Sequence, residues 1–419
     1  MLTPPLPEAS AHLAGDWFAQ GVQVGQVLAT AGHTQVVVAS DPGAADAGAA
    51  VRKGLSETGC AVIDVGCVPA PFLVTALRWA GGAGVLAGRH GLRVYRGPLR
   101  TGPGEHETAA SLFAAAGTAT ISQPAGRHGS AQVWPLYRDA LLGALRARAL
   151  PDRVLVAPAG EPAVAAFIEL AGDLGCRAKA CGPAGLAGDC ARLGLPGLML
   201  GSRGEHLAAF DETGRPVSPE LFQVCLWRAL SVAATSPQVP VEVSASQLLV
   251  DEVKRLGGRP VFHRCSCGAV RSTHLRLNLP LAGTACGAFF WGEHLWSHPD
   301  AIYTGLRFLS SLRRPLAREV DEAGHYCATP LTRLRAASPA VAAGAARLVA
   351  DRFRGEAALV EADGVRILFR RGWALVRPSH SGRALAVRAE AGCREDLDKI
   401  LQAVRAVLGG VAGLEPWPH

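Results

Sequence analysis

"TQVVVASD", residues 34–41, is the stretch on which the fold turns. Val36, Val37, Val38 and Ala39 form an unbroken apolar run that stops at Asp41. "AAVRKGLSETG" (49–59) follows with helical spacing and a Gly59 stop, and "CAVIDVGCVP" (60–69) is a second apolar run. Short apolar runs bounded by turn residues and separated by a helix read as βαβ, which implies parallel pairing.

The rhythm recurs downstream. "DRVLVAPAG" (152–160) precedes the helix "EPAVAAFIELAGDLG", and "PVEVSAS" (240–246) precedes "QLLVDEVKRLGG" and "RPVFHR". Three α/β units in tandem follow, with linkers near 122–131, 236–240 and 311–324. The last part differs: "ALVEADGVRILFRRGWALVRPSH" (358–380) reads as antiparallel strands turning at "ADG" and "RRG". It ends in the helix "REDLDKILQAVRAVL", and the Ala-rich stretch 336–353 before it reads as another helix. The expected domains are 1–128, 129–237, 238–318 and 319–419.

The chain has 419 residues, 49% hydrophobic and 18% charged, enough for several cores. Its net charge of +7 comes from scattered arginines without long basic runs or interleaved aromatics, so no nucleic-acid partner is expected. The N-terminal stretch lacks the pattern of a secretory signal, and no apolar run is long enough for a membrane span. A cytoplasmic protein without membrane contact is the expectation. Eleven cysteines, an odd number, agree with free thiols.

Several stretches, in order, resemble the alpha-D-phosphohexomutases, the superfamily of phosphoglucomutase and phosphomannomutase. "VVVASDPG" resembles the family's first strand, and "GVLAGRHGLRVYRG" (84–97) falls where the family carries its serine loop. "LGSRGEHLAAFDETGRPV" (200–217) falls on the metal loop, "FFWGEH" (289–294) on the sugar loop and "WALVRPSHSGRALAVRAEA" (373–391) on the phosphate loop. The resemblance implies three tandem mixed-sheet α/β/α domains and a C-terminal α+β domain around a central cleft.

Set against that family, the catalytic positions of this chain are altered. A mutase of this type needs a hydroxyl to carry a phosphoryl group and a divalent metal to neutralise its charge. Arg89 stands at the serine position and has no oxygen to phosphorylate. His90 keeps the family pattern, either as a catalytic group or as a histidine that holds the turn. In the metal loop the three alternating aspartates are replaced by Gly201, Ser202, Arg203, Gly204, Glu205 and His206. One carboxylate and one arginine do not make an octahedral oxygen site, so no cofactor is expected here, although the family uses Mg²⁺.

Arg89 and Arg203 are expected to meet near Glu205, either as a structural ion pair or as an anion site. Glu293 is a sugar-hydroxyl contact or a solvated loop carboxylate. Arg377, Ser379 and Ser381 match the residues that hold a phosphate in the family; the alternative for Arg377 is a structural arginine in a hairpin. His263, Cys265, Cys267, His274 and Cys286 cluster in sequence, but two cysteines one residue apart in a strand suit buried structural thiols better than zinc. The expected function is that of a phosphohexomutase relative without phosphoserine turnover, a pseudoenzyme that binds a phosphosugar or another anion, or partners an active paralogue. The rival is an active intramolecular phosphotransferase of carbohydrate metabolism that uses other residues.

Overall fold

The structure is a computed structural model that describes residues 16–89, 91–95, 107–108, 125–146, 148–230, 238–292, 298–323, 326–379 and 382–417. It divides into two compact units, Met1–Ser218 with Cys286–Arg318, and Pro219–Ala285 with Glu319–His419. The segment 238–318 therefore contributes to both. The α/β class read from the sequence is borne out by the mixed sheets and their flanking helices.

In the first unit, β1 (Gln35–Ser40), β2 (Ala61–Cys67), β3 (Ala83–Gly88), β4 (Gly91–Tyr95), β5 (Glu107–Thr108) and β6 (His128–Ser130) form one sheet in the order β5-β4-β3-β1-β2-β6. β3, β1, β2 and β6 run parallel, whereas β4 and β5 are antiparallel. Val36 to Ala39 have no exposed surface, as a strand covered on both faces requires. β6 lies inside the expected linker 122–131, because its three residues find open backbone groups along the edge of β2.

The helix Trp17–Thr30, unexpected from sequence pattern, packs on the crossover helix Ala45–Ser56. Asp16 caps it by accepting from the Phe18 and Ala19 amides at 3.0 and 3.2 Å. A side chain at Gly21 would put its Cβ 2.6 Å from the Val51 carbonyl, so glycine there sets how closely the helices approach.

A second sheet of the same unit comprises β7 (Arg153–Ala157), β8 (Arg177–Ala180), β9 (Gly197–Leu200), β10 (Leu207–Phe210) and β11 (Pro216–Val217) in the order β11-β10-β9-β7-β8. The helix Ala301–Ser311 closes onto it: Gly305 leaves room for Phe167 and Leu198. The Gly201–His206 loop joins β9 to the antiparallel β10.

In the second unit, β12 (Gln238–Glu242) and β13 (Arg259–His263) pair in parallel. The C-terminal residues form the antiparallel sheet that the turn residues predict: Ala358–Val360, Val365–Phe369, Gly372–Pro378 and Ala384–Ala391 follow one another by hairpins. Helices Pro339–Phe353 and Arg394–Leu408 bury their apolar faces against it. Arg366 is fully buried in this sheet, with Nη1 donating to the Val243 and Ala245 carbonyls at 2.8 and 2.7 Å and the guanidinium 3.8 Å from the centre of the Trp373 ring.

Candidate functional site

In the first sheet the strand order reverses at β1: the chain leaves β1 for β2 on one side and returns to β3 on the other. The carboxyl ends of β1 and β3 therefore open a crevice, the usual ligand position in open α/β sheets. Asp41 follows β1 and Arg89 follows β3, so the topology brings two residues 48 positions apart in the sequence to one edge.

Asp41 is buried, its amide donating to the Ala87 carbonyl at 2.8 Å. Its Oδ2 accepts from Arg203 Nε at 2.8 Å, and its Oδ1 is buried without a hydrogen-bond partner among the described residues. Gly88 permits this pair: a Cβ there would stand 2.5 Å from Asp41 Oδ2 and 3.2 Å from Arg203 Nη2. Arg89 is exposed, has no ion-pair partner among the described residues, and lays its guanidinium on Gly43. Gly43 has φ +76°, and a Cβ there would collide with Arg89 Nη2.

The pairing expected for Glu205 is corrected. Its buried carboxylate accepts from Arg93 at 2.8 Å, while Arg203 turns to Asp41. Arg93 sits on β4 opposite Leu86, between the buried Leu92 and Val94, and the pleat aims it away from that apolar face. The positional match to the family could not locate it; the alternation in "LRVY" is the signal that could have. The charge of Glu205 holds the Arg93 guanidinium firmly protonated, and burial, followed by Glu205, pushes the Tyr95 phenol up.

Two helix N-termini fix the Gly201–His206 loop. The Ala70 amide donates to the Arg203 carbonyl at 2.9 Å, and the Ala301 amide to the Gly204 carbonyl at 2.8 Å. Asp300 caps the second helix through the Tyr303 amide at 2.9 Å and accepts from the Tyr137 hydroxyl at 3.0 Å. Complete burial raises the Asp300 carboxyl to about 7. The half-buried His206 ring is pushed down by burial, but its bond to Cys286 and the charge of Glu205 outweigh that and raise it.

In the second unit, Arg377 is buried, with Nη1 3.2 Å from the Pro378 carbonyl and 3.6 Å from Asp363. Ser379 closes a tight turn through its amide to Ala384 at 2.7 Å and its carbonyl from Gly382 at 2.8 Å. His90, Glu293 and Ser381 lie outside the described residues. The strand expected around Cys265 and Cys267 is replaced by a helix, Cys267–Arg276, because the Ser266 hydroxyl caps it. His274 lies buried in that helix, where burial first and then Arg271 lower its ring to about 4.

No protein-family model matches the chain. It is 25% identical over 389 residues to a phosphomannomutase/phosphoglucomutase of Pseudomonas syringae pv. tomato, covering 86% of this chain and 83% of that protein. Against the phosphomannomutase/phosphoglucomutase of Pseudomonas aeruginosa it is 25% identical over 395 residues, covering 87% and 85%. A phosphoglucomutase/phosphomannomutase family protein of Burkholderia thailandensis has a similar fold, with a TM-score of 0.76 at 21% identity over 96% of this chain and 95% of that one. The Aspergillus fumigatus N-acetylphosphoglucosamine mutase, solved with GlcNAc-6P and magnesium, has a TM-score of 0.61 at 13% identity, covering 90% and 78%.

A crevice at the β1/β3 switch point and sequence similarity along most of the chain define a sugar-phosphate mutase fold. Along most of its length the chain is similar to phosphomannomutase/phosphoglucomutase proteins, members of the alpha-D-phosphohexomutase superfamily.

That similarity corrects the expectation of no cofactor: the resemblance that placed the loops is to a Mg²⁺-using family, and the fungal neighbour holds magnesium. Among the described residues, Asp41 Oδ1 is a buried carboxylate oxygen without a hydrogen-bond partner, a donor of the type Mg²⁺ prefers. No helix among the described residues is long and apolar enough to cross a membrane.

Proposed function

We propose that this protein binds a hexose phosphate at the β1/β3 crevice, with Arg89 holding the phosphate, and does not turn it over through a phosphoserine. The observation that carries the reading is the contrast among three arginines. Arg203 and Arg93 are neutralised by Asp41 and Glu205, while Arg89 is exposed at the switch point and has no carboxylate partner among the described residues. A guanidinium free of a carboxylate is a two-pronged donor suited to phosphate oxygens.

Arg89 does nothing covalent in this scheme. It orients the phosphate and keeps its positive charge throughout, since a guanidinium neither loses its proton nor accepts a phosphoryl group at ordinary pH. Mg²⁺, when bound, supplies further charge neutralisation beside the phosphate.

The test pairs binding with turnover. Glucose 1-phosphate or mannose 1-phosphate, with Mg²⁺, is expected to raise the melting temperature of the wild type, and Arg89→Ala to weaken that binding about tenfold or more. With a trace of the hexose bisphosphate added, no interconversion above background is expected. Turnover that disappears in Arg89→Ala would overturn the reading.

A further inference from the structure

His206 and Cys286 are 80 positions apart in the sequence, yet the first unit sets them side by side. The Leu207 amide donates to the Gly287 carbonyl at 2.9 Å, clamping the residue after His206 to the residue after Cys286. Gly287 has φ +82°, and a Cβ there would collide with the Leu207 carbonyl, so this approach needs glycine. A ring nitrogen of His206 and Cys286 Sγ lie within 4.8 Å of each other. Both side chains are half-buried, which leaves a path for a small solute.

From this geometry we infer that Cys286 is the peroxide-reactive thiol of the chain, with His206 as its proton partner. The imidazole shares its proton with the sulfur and stabilises the thiolate, the form that attacks an electrophile. Glu205, next in sequence to His206, favours the charged imidazole. Several other thiols are placed differently. Burial raises Cys176 to about 11 and Cys190 to about 12, and it also pushes up Cys67, Cys181 and Cys265.

With hydrogen peroxide as the oxidant, the Cys286 thiolate attacks one peroxide oxygen: an S–O bond forms and the O–O bond breaks. The sulfur is oxidised by two electrons to the sulfenic acid, and the departing hydroxide takes the His206 proton to leave as water. The thiol and peroxide become sulfenic acid and water, with every atom accounted for.

The experiment treats the native full-length protein with limiting hydrogen peroxide, traps sulfenic acid with dimedone and locates the adducts by mass spectrometry. Cys286 is expected to carry most of the adduct, about tenfold ahead of the exposed Cys67 and Cys393. His206→Asn should slow the Cys286 reaction about tenfold and leave Cys393 unchanged. A Cys286 adduct no greater than that of Cys393, or one indifferent to His206→Asn, overturns the inference. If that variant does not fold, His206→Gln replaces it, and the ratio among wild-type cysteines decides by itself.

Discussion

Arg203 Nε and Asp41 Oδ2 meet at 2.8 Å across 162 residues of sequence, joining the loop after β9 to the end of β1. The carboxylate is buried and the guanidinium half-buried, so removal of the cation strands a charge in a poorly solvated place. Arg203→Ala is expected to cost about 1–3 kcal/mol of unfolding free energy, measured by urea denaturation. A cost below about 0.5 kcal/mol would mean that solvent already screens the pair.

The Arg93–Glu205 pair should behave as a coupled unit, because Glu205 is 4% exposed. In a double-mutant cycle with Arg93→Met and Glu205→Gln, the two single losses are expected to exceed the double loss by about 1 kcal/mol or more. Strict additivity would show that the contact contributes nothing.

Asp300 gives the pH dependence. Its carboxyl is raised in the folded state to about 7, from an ordinary value near 3.8, so the folded protein holds that proton more tightly than the unfolded chain. The sign follows: Asp300 destabilises the fold progressively as pH rises from about 4 to about 7, and no further change comes from it above that range. Asp300→Asn keeps the helix cap, so wild type and variant should diverge with pH across that window. Parallel stability curves between pH 5 and 7 would contradict the assignment.

Arg366→Met tests the second unit. The thioether fills the space beside Trp373 but leaves the Val243 and Ala245 carbonyls without their donor. A loss of about 2–4 kcal/mol is expected in denaturant melts. A neutral effect would show that water replaces the guanidinium at both carbonyls.

Much of this chain was legible beforehand where local patterns decide structure. The unbroken apolar runs at Val36–Ala39 and Val154–Ala157 fixed buried strands, and "ADG" and "RRG" fixed hairpins, because their signals lie within a few residues. The helix Trp17–Thr30 escaped notice because Gly21 and Gly25 weaken its helical signal, and packing on Ala45–Ser56 compensates only in the folded chain. The short edge strand His128–Ser130 escaped for the same kind of reason: its partner is β2, far away in sequence.

By itself, the sequence determined the α/β class, the family resemblance and the presence of Arg89 where a hydroxyl is expected, since each depends on residue identity and local order. Only the tertiary structure decided that Glu205 takes Arg93, that Arg203 takes Asp41 and that Arg89 finds no carboxylate among the described residues. Ion-pair partners are chosen by strand register and by the loops that helix N-termini hold in place. Those long-range distances are set when the sheets assemble, and no local stretch of sequence encodes them.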